Sequence, residues 1–204
     1  MASVITAGLS ALRYGTAAST LPGNARSGDL EVVHLHAGGA LLALVDGLGH
    51  GESAAIAAER ARLTIQSHLQ DPVATILQRC HEELRFTRGV VMSVAAIDFE
   101  RGLLTWLGVG NVRGVLYRAE DAAQPRREEL LLRSGVVGAH LPALRATETP
   151  VGLGDTLILA TDGVRSDFAD TLTPSAEPRA LAPWILAQYG RPTDDALVLV
   201  ARLT

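Results

Sequence analysis

The sequence predicts an α+β fold in which two mainly antiparallel sheets stack face to face with helices outside. Three observations carry this expectation. Eight short apolar runs bounded by Gly, Asp, Asn or Pro read as strands. Two helical stretches stand consecutively between the second and third runs, so the helices are grouped. The remaining runs are joined mostly by short loops, which suits antiparallel neighbours better than βαβ crossovers.

The elements follow in order. Leu30–His36 and Ala40–Val45 form a hairpin around Ala37-Gly38. Glu52–Leu69 is helical, with Ala54, Ile56, Ala57, Ala61, Leu63 and Ile65 as its apolar face, and Pro72–Phe86 is a second helix with Pro72 as its first residue. Val90–Phe99, Leu103–Val109, Val112–Arg118 and Glu129–Arg133 are strands, with Ala119–Arg127 as the polar hairpin loop before the last of them. Thr156–Ala160 and Ala196–Leu203 complete the set. Thr171–Pro178 between them reads as a loop leading into a short helix at Arg179–Tyr189.

Composition narrows the function classes. A chain of 204 residues, nearly half apolar, fits one folded domain over 1–204. The net charge of −4 is interspersed, which gives no reason to expect nucleic acid or an anionic membrane as partner. No run approaches the ~20 apolar residues of a membrane span, and Met1–Arg13 lacks the pattern of a signal peptide, so a cytoplasmic location is expected. Every one of the 18 basic residues is arginine. P-loop nucleotide hydrolysis, protein-kinase chemistry and Schiff-base catalysis each need a lysine and are excluded. Cys80 stands alone in a helical setting and reads as a small packed hydrophobe rather than a nucleophile.

Four aspartates sit where apolar runs begin or end: Asp29, Asp46, Asp162 and Asp194. With Ala37-Gly38 as the turn, residues whose numbers sum to 75 lie opposite one another, which sets Asp29 against Asp46. Directly opposed side chains have Cβ atoms about 4.5–5.5 Å apart, and like charges there repel. Leu41–Gly47 and Leu157–Gly163 share one pattern, an apolar strand followed by Asp-Gly. The glycine permits a sharp turn and offers its carbonyl as another oxygen. Asp162 ends a run and Asp194 starts one, so in an antiparallel sheet they can share an edge. Carboxylates gathered in this way suit a hard divalent cation; taken singly, each Asp-Gly is an ordinary turn signal. The loop Asp46-Gly47-Leu48-Gly49-His50-Gly51-Glu52 departs from the dinucleotide fingerprint, since Glu52 replaces its third glycine. Gly108-Val109-Gly110-Asn111 fails the same test because a strand follows it.

Asp46-Gly47-Leu48-Gly49-His50-Gly51, Ala160-Thr161-Asp162-Gly163-Val164 and Asp194-Asp195-Ala196-Leu197-Val198-Leu199-Val200, in that order after Ser27-Gly28-Asp29, resemble the metal-dependent PPM-type serine/threonine phosphatases and in particular their SpoIIE-like branch. The resemblance, with Gly108–Arg113, is nearest to the single-domain stressosome phosphatases of that branch. It implies an αββα sandwich with two Mn²⁺ or Mg²⁺ ions at one end of the sheets. Asp46 would bridge both ions and the Gly47 carbonyl would bind one. Asp162 and Asp194 would bind the other, and Asp29 would help hold the second directly or through water. Asp46 and Asp162 are thus the implied catalytic centre, with Asp195 in a supporting hydrogen-bonding role. The chemistry implied is hydrolysis of phosphoserine or phosphothreonine by water, with no protein nucleophile. The implied substrates are phosphorylated STAS-domain proteins of a stressosome, so that the enzyme resets a stress-response pathway. The segment between Asp162 and Asp194 leaves little room for the substrate-covering flap of larger relatives.

Other candidates carry competing readings. Arg26 is placed to contact substrate phosphate or to stand as a solvated arginine, and His50 to protonate the leaving oxygen or to pack at the helix start. His34 and His36 share a strand face but read as hairpin residues, and Arg113 and Arg165 carry weaker cases. Competing functions are an anti-anti-sigma-factor phosphatase, hydrolysis of a small phosphate ester or diester, and a non-catalytic module that binds STAS partners.

Overall fold

The structure, a computed structural model, describes residues 12–119 and 125–204. Its strands are β1 (Leu12–Ser19), β2 (Asp29–His36), β3 (Gly39–Gly47), β4 (Val90–Asp98), β5 (Leu103–Val109), β6 (Arg113–Tyr117), β7 (Arg127–Glu129), β8 (Leu132–Arg133), β9 (Thr147–Pro150), β10 (Thr156–Ala160) and β11 (Ala196–Leu203). The helices are α1 (Glu52–Gln66), α2 (Val73–Leu84), α3 (Phe168–Thr171) and α4 (Pro178–Tyr189). One sheet runs β1-β11-β10-β6-β7 and the other β2-β3-β4-β5-β8, with β9 also paired to β5. Every strand pairing is antiparallel except β5 with β8.

Alternation along the strands builds the layers. In β3, Leu42 and Leu44 face a core shared with Leu157, Leu159, Leu197 and Leu199 of the other sheet. Leu41, Ala43 and Val45 point the opposite way, onto α1 and α2 through Ala57, Ala61, Ile65, Ile76 and Leu77. Ile158, Val198 and Val200 meet α3 and α4 through Phe168, Leu181 and Ile185. The order is helices, sheet, sheet, helices, the αββα arrangement expected. Each large apolar side chain buried in these layers contributes about 1.5–3 kcal/mol.

The structure corrects several boundaries. β1 had no counterpart among the expected strands. Its sequence Leu-Arg-Tyr-Gly-Thr-Ala-Ala-Ser is rich in small residues and carries Gly15. A Cβ at Gly15 would lie 2.4 Å from the Pro178 carbonyl oxygen, so the glycine that weakens the strand signal lets α4 lie close on the sheet. Glu129–Arg133 is two strands rather than one: β7 belongs to the first sheet and β8 to the second, the chain crossing between them at Leu130-Leu131. β9 and α3 were also unforeseen. α1 and α2 are shorter than expected at their C-terminal ends, and Pro72 is the cap before α2 instead of its first residue. The apolar face assigned to α1 is corrected too: Ile56 and Leu63 are exposed, while Ala55, Ala58 and Thr64 are buried. Part of the expected Ala119–Arg127 loop, residues 120–124, lies outside the described residues; Arg127 itself opens β7.

Candidate metal centre

Both sheets present one common edge. β2 begins there, β3 and β10 end there, and β11 begins there. The hairpin register sets Asp29 opposite Asp46, as the turn at Ala37-Gly38 requires. Alternation points both side chains toward the layer between the sheets, since Leu44 and Val33 on the same faces pack into that core. Asp29 is 5% exposed, whereas Asp46 is half-buried. Across the gap, Thr161 and Asp195 share the inward parity of Leu159 and Leu197. Their neighbours Asp162 and Asp194 fall on the outer parity and reach solvent, Asp162 exposed and Asp194 half-buried.

Hydrogen bonds tie the two edges together. Thr161 Oγ1 donates to Asp29 Oδ2 at 2.7 Å and accepts from the Leu197 amide at 2.9 Å. Asp195 accepts from the amides of Leu21 and Gly28, each at 2.7 Å, and so fastens the β1–β2 connection under the site. Asn111 Nδ2 donates to Asp162 Oδ2 at 2.8 Å, and the Asp195 amide donates to Asp194 Oδ1 at 2.9 Å. Thr161 and Asn111 were quoted in the motifs above without a role. The signal for Thr161 was its inward parity, two residues after Leu159; Asn111 had only its place in a glycine turn at the same edge.

The two Asp-Gly pairs have a different cause from the sharp turn expected. Neither Gly47 nor Gly163 has positive φ. A Cβ at Gly47 would lie 2.2 Å from the Ala54 carbonyl oxygen of α1, and one at Gly163 would lie 1.9 Å from that of Asp195. Close approach of backbone is what requires glycine at both positions.

The electrostatics are frustrated. Burial first, then the carboxylates of Asp29, Asp162, Asp194 and Asp195, push the Asp46 pKa up to about 9. Burial raises Asp29 to about 7 against the opposing Thr161 hydrogen bond, with Asp195, Asp162 and Asp194 adding to the rise. Asp194 is raised by burial and by Asp162, with His50 opposing. Such a donor set, all oxygen and mutually repelling, fits a hard divalent cation. Among the described residues no three His, Cys, Asp or Glu side chains converge on one point closely enough to ligate an ion by themselves. An ion here would take one or two carboxylates and fill its remaining positions with water, as Mg²⁺ habitually does.

The remaining candidates are placed as follows. His50 is exposed on the loop after β3, near Asp194. Arg26 pairs with Glu52 at 3.0 Å, both half-exposed. Arg113 pairs with Glu129, and Arg165 pairs with Asp167 and stacks on Tyr189. His34 and His36 stack on each other near the hairpin turn, at the opposite end of β2 from Asp29. Cys80 is fully buried and its thiol is pushed up to about 12, chiefly by that burial.

Known proteins share this architecture. A structure from work on the bacterial stressosome as a modular system adapted to control secondary messenger signalling superimposes with a TM-score of 0.85 at 30% identity, over 94% of this chain and 99% of its own. RsbX in complex with magnesium gives 0.85 at 20% identity, over 95% and 96%. The serine/threonine phosphatase PstP/Ppp of Mycobacterium tuberculosis gives 0.72 at 18%, over 95% and 99%. Phosphoserine phosphatase RsbX of Bacillus subtilis (strain 168) is 31% identical over 77 residues, which span 38% of this chain and 39% of that protein's length. Among the described residues no helix is long and apolar enough to cross a membrane. The family described as stage II sporulation protein E matches residues 36–204, and the chain belongs to that SpoIIE family.

Proposed function

We propose that this protein is a Mn²⁺- or Mg²⁺-dependent phosphatase of phosphoserine and phosphothreonine in proteins, with residues 1–204 forming one catalytic domain. The observation that carries this reading is the opposed Asp29–Asp46 pair, met at one sheet edge by Asp162 and Asp194 from the other sheet. Asp46, the Gly47 carbonyl, Asp162, Asp194 and Asp29 are the groups that would hold two ions, which supply charge neutralisation of the phosphate and an activated water near neutral pH. The chain's own contribution is positioning. Thr161 aims Asp29, Asn111 aims Asp162, and Asp195 pins the loop beneath them. His50, exposed near Asp194, is the residue that would give a proton to the leaving serine oxygen. Arg26 would have to leave Glu52 to meet the phosphate; a surface ion pair of that kind is worth only about 0–1 kcal/mol and can be exchanged.

The substrate we propose is a phosphorylated STAS-domain protein of a stressosome-like assembly, dephosphorylated in the cytoplasm to reset a stress-response pathway. Support comes from the relative named a phosphoserine phosphatase and from the likeness to a structure from stressosome work. The test is Asp46→Asn against phosphorylated scaffold and phosphorylated anti-anti-sigma factor. Loss of Mn²⁺-dependent phosphate release is expected, and release at the original rate would refute the mechanism. The absence of a tight three-ligand cluster among the described residues favours, as a second reading, a module that binds such partners without hydrolysis. Calorimetry separates the two, since that reading requires no divalent binding.

A further inference from the structure

Arg88 lies just before β4, beside the loop that follows Asp46. Arg26, Arg113 and Arg165 are each held by an acidic side chain, whereas Arg88 forms no ion pair among the described residues. Its backbone is nonetheless fixed. The Thr87 amide donates to the Leu84 carbonyl at 2.8 Å, Thr87 Oγ1 donates to the same carbonyl at 2.8 Å, and the Gly89 amide donates to Thr87 Oγ1 at 3.0 Å. The Leu48 amide then donates to the Gly89 carbonyl at 3.1 Å, joining this turn to the loop that follows Asp46. The guanidinium lies over Gly49, where a Cβ would come within 2.6 Å of Nη1. Next to it, Phe86 is 95% exposed and Ile56 is 51% exposed. Together with Ser53, Thr87 and Arg88 they line a shallow depression of about 340 Å³.

We propose that this depression and Arg88 are the docking surface for the polypeptide flanking the phosphorylated residue, an apolar side chain resting on Phe86 and Ile56 and an acidic side chain pairing with Arg88. The inference rests on the phosphatase reading and adds a recognition element to it. Charge complementarity points to an acidic partner, because an exposed guanidinium on a fixed backbone, without an internal counter-ion, is free to make a bidentate pair. Continuity points to substrate, because the surface joins the Asp46 loop through one hydrogen bond and one van der Waals contact. On the opposite flank, the residues between Asp162 and Asp194 form α3 and α4, which are committed to the outer face of the first sheet.

The experiment is a phosphoserine peptide library, randomised at the flanking positions and incubated with the full chain and Mn²⁺. Consumed peptides are identified by sequencing, and p-nitrophenyl phosphate serves as a small ester. Wild type should favour an apolar and an acidic residue at fixed offsets. Phe86→Ser should lower the apolar preference about tenfold, within the range for one apolar pocket contact. Arg88→Gln should remove the acidic preference while keeping the apolar one. Phe86 packs into no core, so Phe86→Ser should fold, and circular dichroism checks that it does. Library peptides consumed without preference, or with preferences that both variants retain, would overturn the docking surface alone. If wild type releases no phosphate from any peptide, the phosphatase reading fails and the docking surface falls with it.

Discussion

Asp46 is the residue on which most depends, and its cost is visible without any ligand. A carboxylate half-buried opposite another carboxylate binds a proton far more readily than it would in the unfolded chain. Its pKa is about 9 when folded and near 3.8 when unfolded, with Asp29 at about 7 behaving alike. The folded state therefore holds more protons than the unfolded state across that interval, and stability must fall as pH rises. In metal-free protein the melting temperature should drop by several degrees between pH 5 and pH 9. Added Mn²⁺ should reverse the drop, and Asp46→Asn should flatten the dependence while raising the melting temperature at pH 9. Calorimetric scans over pH would check all three, and a wild-type profile indifferent to pH would contradict the frustrated cluster. Cys80 offers an independent check. With its thiol pushed up to about 12 by burial, alkylation by iodoacetamide at pH 8 should be undetectable in the native protein and rapid in urea, as mass spectrometry would show.

The strands and their connections explain why the acidic set was legible and its supports were not. The hairpin register follows from one two-residue turn and the period of two, so the Asp29–Asp46 opposition could be read from spacing alone. Asp162 and Asp194 could be placed at a common edge for the same kind of reason. Thr161 and Asn111 act across the gap between sheets, and no local pattern encodes which strand of one sheet stands over which strand of the other. β1 was missed because α4 needs a glycine and small side chains there, and the same residues weaken the strand signal. The Asp-Gly pairs were found for one reason and exist for another. Gly163→Ala should strain the junction with Asp195 and cost about 1–3 kcal/mol, measurable by urea denaturation. Asp195→Ala should cost more than Asp194→Ala, since it strands the amides of Leu21 and Gly28. Hydrogen exchange should then accelerate at both amides.

Across the whole molecule, the carboxylate cluster sits at the mouth of the core between the sheets, so the packing of that core sets how far apart the two carboxylate-bearing edges lie. Trp106 is its largest member, 1% exposed; a Cβ added at Gly114 would collide with the indole at 2.5 Å, and one at Gly108 would press on it at 3.1 Å. Gly108 is the penultimate residue of β5 in one sheet and Gly114 the second residue of β6 in the other, so the ring fills the space at the crossing between them. Its Nε1–H is buried without a partner among the described residues. A buried donor left unpaired is destabilising, so Trp106→Phe exchanges lost volume for the removal of that penalty and should change stability by no more than about 1 kcal/mol. Trp106→Ala leaves a cavity with no compensation and should cost about 3–5 kcal/mol. The second tryptophan, Trp184, is 47% exposed and should fluoresce as a solvated indole, so a blue-shifted component of the wild-type emission is expected from Trp106 and should vanish in Trp106→Phe. If the core spacing governs the site, Trp106→Ala should also weaken Mn²⁺ binding at temperatures where the variant remains folded, although no ligand is touched. Equal Mn²⁺ affinity in wild type and Trp106→Ala by calorimetry would separate the core from the site and leave the carboxylates positioned by their own strands alone.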